Sequence, residues 1–103
     1  EVLCLGGADG RVDWVALMRE LGAREIDSVL IEGGATIHAA ALQENCCDLV
    51  QVYVAPKLFG GDGLSPIGGM GITTPDKAVL LSEPTITRLG QDLLLEYTRK
   101  EQF

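Results

Sequence analysis

The chain has 103 residues, a length for one small domain and not two, with 47% hydrophobic and 22% charged residues as in ordinary globular proteins. Its formal net charge of −7 argues against the broad basic patches that bind nucleic acid or anionic membranes. A small anionic ligand held by local donors is still allowed. No apolar run approaches the ~20 residues of a membrane span, no leader pattern opens the chain, and the missing initiator Met points to a segment of a longer protein.

In chain order, the apolar run Val2 to Leu5 ends at Gly6-Gly7 and reads as a buried strand. The loop that follows carries Gly6, Gly7 and Gly10, but not in G-x-G-x-x-G spacing, which favours a plain turn over a phosphate loop. Asp13 is placed to cap a helix over residues 14 to 21. Trp14, Val15, Leu17, Met18 and Leu21 form its apolar face, and Gly22 is the expected stop. The stretch IDSVLI, residues 26 to 31, is continuously apolar around Val29, Leu30 and Ile31, as in a parallel strand covered on both faces. A small-residue helix from Ala35 to about Gln43 follows, ending at Asn45 and Cys46. Asp48 then opens a third strand, LVQVYVAP. This alternation predicts an α/β fold with a parallel centre.

Beyond residue 56 the rhythm breaks. Residues 57 to 71 form a long loop with six glycines, readable as a mobile flap or as a simple loop. The remainder predicts an antiparallel C-terminal hairpin around Leu89-Gly90-Gln91-Asp92. Pro84 interrupts its first strand and implies an edge position or a bulge. The whole reads as one domain, residues 1–103, with a mixed sheet.

The stretch SVLIEGGATIHAAAL concentrates the chemistry. A carboxylate, Glu32, ends an apolar strand, and Gly33 and Gly34 lead into a helix. Ligands in open α/β sheets sit beyond the carboxyl ends of the strands. The first turn of the next helix, from Gly34 to Ile37, offers unpaired N–H groups and the positive end of the helix dipole, as anion sites do. Glycine at 34 admits close ligand approach and a positive φ, and Thr36 could add a hydroxyl. Plain turn chemistry with a solvated Glu32 is the competing reading, and the pattern alone leaves both open.

VLIEGGATIHAAAL followed by CDLVQVYVAPKLFGG resembles the reductase domain of the bifunctional riboflavin-biosynthesis deaminase/reductase family. The matching positions are Glu32, Gly33, Gly34, Asp48, Ala55, Pro56, Lys57, Gly60 and Gly61. The preceding GRVDWVALMRELGAREIDSVL resembles the segment leading into that strand. The resemblance implies a dihydrofolate-reductase-like, three-layer α/β/α fold. It implies NADPH as cofactor and 5-amino-6-(5-phosphoribosylamino)uracil as substrate, its ribose reduced to ribitol. By the same resemblance Glu32 contacts substrate, and Gly33, Gly34, Ala35, Thr36, Ile37, His38, Ala39 and Ala40 lie along the cofactor. It supplies no proton donor and no metal. A full reductase domain is considerably longer, so the chain corresponds to its C-terminal portion.

Several residues keep a plainer reading beside this one. His38, the lone histidine, is structural or solvated if it does not touch cofactor. Lys57 is a solvated strand end or a phosphate contact. Cys4, Cys46 and Cys47 cannot all pair and have no metal spacing, which points to free thiols in a reducing compartment, the cytoplasm. An incomplete sheet with open edges implies a homo-oligomer. The alternative function, from a different class, is a non-catalytic self-associating α/β module.

Overall fold

The computed structural model describes residues 1–7 and 9–100. They form two compact units, residues 1–46 with 66–70, and residues 47–65 with 71 onward.

The first unit carries helices α1 (Trp14–Ala23) and α2 (Ala35–Gln43). Asp13 caps α1 as expected, its carboxylate accepting from Ala16 N–H at 3.0 Å. The stop at Gly22 is not used. The helix runs on to Ala23 and closes in a Schellman motif, with Ile26 N–H donating to Leu21 O and Glu25 N–H to Gly22 O, each at 3.0 Å. Glu25 therefore takes the left-handed position at φ +63°, where glycine is the usual occupant. α2 ends in the same motif. Asn45 adopts φ +57°, and Cys46 N–H donates to Ala41 O at 2.9 Å. Asn tolerates that conformation well, which is why the sequence pattern marks this boundary correctly. Ahead of α1, Gly6 and Val12 form a single antiparallel bridge, and Asp13 N–H donates to Leu5 O at 2.7 Å. An exposed ion triad joins Arg24 to Glu1 and Glu20. Arg24 holds the Glu1 carboxyl below its ordinary range.

The second unit is a three-stranded antiparallel sheet in the order β1-β3-β2, with β1 Leu49–Val54, β2 Thr85–Leu89 and β3 Asp92–Thr98. Central β3 pairs Leu93 with Val54 and Thr98 with Leu49 on one side, and Asp92 with Leu89 on the other. The hairpin turn is as expected. Gly90 sits at φ +62° as the first residue of a two-residue loop, the position that a type II′ turn reserves for glycine. Pro84 lies just outside β2, which is an edge strand. Between the Leu81–Arg99 bridge and the Thr85–Glu96 pair, residues 82–84 face only 97–98, the one-residue excess of a bulge. Ser82 stitches it, with Thr98 N–H donating to its Oγ at 3.0 Å.

The expected parallel centre is not seen among the described residues. Residues 2–5 and 26–31 carry no strand ladder, and the sheet of the described residues is wholly antiparallel. A parallel strand is held by its ladder to neighbouring strands, and the described residues give these two segments no ladder. Most of their apolar side chains stay in solvent, with Val2 90% and Leu30 71% exposed, while Leu5 and Ile31 are half-buried. Among the described residues the buried hydrophobic ones are Ala39, Ala41 and Leu42, all on α2.

Two cap variants test this local account through the fluorescence of Trp14 during denaturation. Asp13→Ala is expected to lower stability by about 1 kcal/mol. Glu25→Gly is expected to raise it by about 0.5–1 kcal/mol, because the left-handed conformation then costs less.

Candidate functional site

The site is built on the turn between Ile31 and α2. Gly33 adopts φ +122°, a conformation that favours glycine, while a Cβ added there would meet His38 Cε1 in ordinary contact at 3.4 Å. Gly34, where a positive φ was expected, sits at φ −80° instead. An added Cβ at Gly34 would meet nothing within 4 Å, so the space above it is open. The peptide bond joining the two is cis.

Gly34 is also the N-cap of α2, and a glycine has no side chain with which to cap. The two helices differ in this respect: α1 is closed by Asp13, while α2 has no side-chain cap. The first helical bond of α2 runs from His38 N–H to Gly34 O at 3.0 Å. The N–H groups of Ala35, Thr36 and Ile37 thus have no partner within the helix. Glu32, at the other side of the double glycine, is exposed, and its carboxylate makes no hydrogen bond or ion pair among the described residues. Uncapped amide donors and the positive end of the helix dipole thus follow Gly33-Gly34 in the chain, and an unengaged carboxylate precedes them.

Beside this turn lies a cleft of about 490 Å³, lined from α2 by Thr36, Ile37 and Ala40. Its other wall is Gly10, Arg11, Val12, Trp14 and Leu17. The expected run from Gly33 to Ala40 is thereby divided. Thr36, Ile37 and Ala40 share the face that lines the cleft. Ala35, His38 and Ala39 lie on the opposite side of the helix, where Ala39 is buried and the Ala35 carbonyl accepts from Gly68 N–H at 2.9 Å. The spacing 36, 37, 40 is one stripe of a 3.6-residue period, so the division follows from helix geometry.

Arg11, Trp14 and Leu17 were not foreseen as a wall of this cleft. Trp14 and Leu17 were legible only as the apolar face of α1. The guanidinium of Arg11 has no partner among the described residues. The glycine loop itself is a turn, as expected: Gly7 N–H donates to Arg11 O and Gly10 N–H to Gly7 O, which leaves those amides unavailable to a ligand.

Lys57, Asp48 and the Ala55-Pro56 and Gly60-Gly61 pairs belong to the second unit, where Gly60–Asp62 form a short 3-10 turn. The glycines from 68 onward divide between the two units, and residues 66–70 are docked on α2, not a free flap. Cys4, Cys46 and Cys47 form no disulfide, and burial pushes the thiol of Cys47 up, away from thiolate chemistry. Among the described residues no helix is long and apolar enough to cross a membrane.

The family model of the RibD C-terminal domain matches residues 1–95. The riboflavin biosynthesis protein RibD of Actinobacillus pleuropneumoniae is 41% identical over 98 residues, covering 94% of this chain and 26% of that protein. The 2,5-diamino-6-ribosylamino-4(3H)-pyrimidinone 5′-phosphate reductase of Methanothermobacter thermautotrophicus is 35% identical over 91 residues, covering 87% of this chain and 42% of that one. Among solved structures, Acinetobacter baumannii RibD (form 1) superposes with a TM-score of 0.76 at 28% identity, over 82% of this chain and 24% of that one. The chain thus spans about a quarter of the length of these RibD proteins. With nearly its whole length matched, the chain belongs to the RibD C-terminal domain family.

Proposed function

We propose that this chain is the C-terminal portion of a reductase domain that uses NADPH to reduce 5-amino-6-(5-phosphoribosylamino)uracil to its ribitylamino form in riboflavin biosynthesis. The observation that carries this reading is the bare first turn of α2, capped only by Gly34, beside the unengaged carboxylate of Glu32. The reductase name of the Methanothermobacter relative supports the reaction class.

The residues present fit a dinucleotide. Uncapped amides over an open Gly34 suit a pyrophosphate, and a largely apolar cleft beside them suits a ring. When bound, NADPH supplies the hydride. Gly34 lets the anion approach the backbone, and the amides of Ala35 to Ile37 orient it. Thr36, Ile37 and Ala40 shield one side of the cleft from water. Glu32 accepts hydrogen bonds from the polar groups of the substrate and fixes its orientation. His38 and Ala39 reach cofactor at most through their backbone.

In the complete domain, residues 2–5 and 26–31 pair in the parallel centre of a dihydrofolate-reductase-like, three-layer sheet, which covers their exposed apolar side chains. The protein acts in the cytoplasm as a homo-oligomer. The alternative of a non-catalytic self-associating module is favoured only by the exposed Leu58, Phe59 and Leu64, and it gives a different answer in the experiment below.

In the full-length protein, NADPH should bind saturably, as followed by its fluorescence; absence of binding favours the self-associating module. Ala40→Leu, which fills the cleft, is expected to raise the Kd for NADPH about tenfold, the equivalent of about 1.4 kcal/mol. Glu32→Gln is expected to lower kcat/KM at least about tenfold, as loss of a charge-assisted hydrogen bond does. The same variant should leave NADPH affinity within about twofold. Steady-state kinetics and the titration separate the two effects.

A further inference from the structure

The side of α2 away from the cleft carries a second device. Residues Pro66 to Met70 lie against it, held at three points two residues apart. Pro66 O is 2.8 Å from His38 Nδ1, Gly68 N–H donates to Ala35 O at 2.9 Å, and Met70 O accepts from Gln43 Nε2 at 3.3 Å. The segment runs close: a Cβ on Gly68 would come within 3.3 Å of Ala35 O.

His38 links this strap to the turn. Its Nε2 is 3.3 Å from Ile31 O, the residue before Glu32, and its Cε1 lies against Gly33. The imidazole is therefore wedged between the strap and both ends of the Ile31–Gly33 segment. Each ring nitrogen faces a carbonyl oxygen, which can only accept. The shorter contact, at Nδ1, is the stronger hydrogen bond and requires a proton there. Both nitrogens are thereby taken up by backbone carbonyls.

We propose that His38 is a positioning residue: through Nδ1–H to Pro66 O it ties the strap to the Glu32-Gly33-Gly34 turn and so fixes where Glu32 and the first-turn amides of α2 are presented. This function of the tie rests on the reductase reading above; the tie itself does not.

The test uses the full-length protein and three variants. Asn places an N–H₂ near the position of Nδ1 and keeps the tie to Pro66, whereas Gln reaches further, toward the place of Nε2, and Ala keeps neither. His38→Ala and His38→Gln are expected to lose about tenfold in kcat/KM and to raise the Kd for NADPH, while His38→Asn stays within about twofold of the parent. Equal loss in the Asn and Gln variants, or no loss in the Ala variant, would overturn the proposal. Independently of activity, long-range ¹H–¹⁵N correlation in the parent protein should show a proton on Nδ1 of His38; an Nε2–H tautomer with bare Nδ1 also overturns it. Failure of the parent protein to bind NADPH would sink the reductase reading and leave the NMR result to decide the tie.

Discussion

Every backbone N–H and C=O needs a partner, and this demand organises the molecule. β3 satisfies it on both edges, with β1 on one side and β2 on the other. Each helix satisfies its last carbonyls by the same left-handed turn, at Glu25 and at Asn45. α1 satisfies its first turn with Asp13. The first turn of α2 has no such side chain, because its cap is Gly34. The unmet donors fall beside an equally unengaged acceptor, Glu32, so the candidate site is the place where the local accounting is left open to a ligand.

That arrangement reconciles the acidity of the chain with an anionic ligand. A net charge of −7 repels anions at a distance. Within one turn of a helix N-terminus, however, the aligned peptide dipoles outweigh a diffuse field that salt screens over about 8 Å. Glu32 is set off from those amides by two glycines, close enough to orient a polar group yet outside the first turn itself.

How much could be read beforehand depended on how local the determining physics is. Both helices, β1 and the hairpin were legible, because caps, periodicity and a Gly-containing two-residue turn act within a few residues. The Glu-Gly-Gly turn and the cleft-lining Thr36, Ile37 and Ala40 were within the expected run. Continuous apolarity at 26–31 expresses a need for burial and says nothing of whether a neighbour is there, and these residues carry no strand ladder here. Gly22 was taken for a stop because glycine is the commonest occupant of a left-handed turn, yet the hydrogen-bond geometry put Glu25 there. The wall of Arg11, Trp14 and Leu17, and the strap at 66–70, come from contacts distant in sequence. No window of periodicity contains them.

The two-sidedness of α2 has a consequence for how such a protein can change. Its nine residues divide between a stripe that faces the cleft and a stripe that holds the core and the strap. Because helical period, not sequence order, assigns them, neighbours such as Ile37 and His38 answer to unrelated requirements. Replacement on one stripe can retune what the cleft accepts while packing is untouched, and replacement on the other can retune rigidity while the lining is untouched. A single short helix therefore offers two nearly independent routes of divergence, and drift in ligand preference need not be accompanied by drift in thermal tolerance.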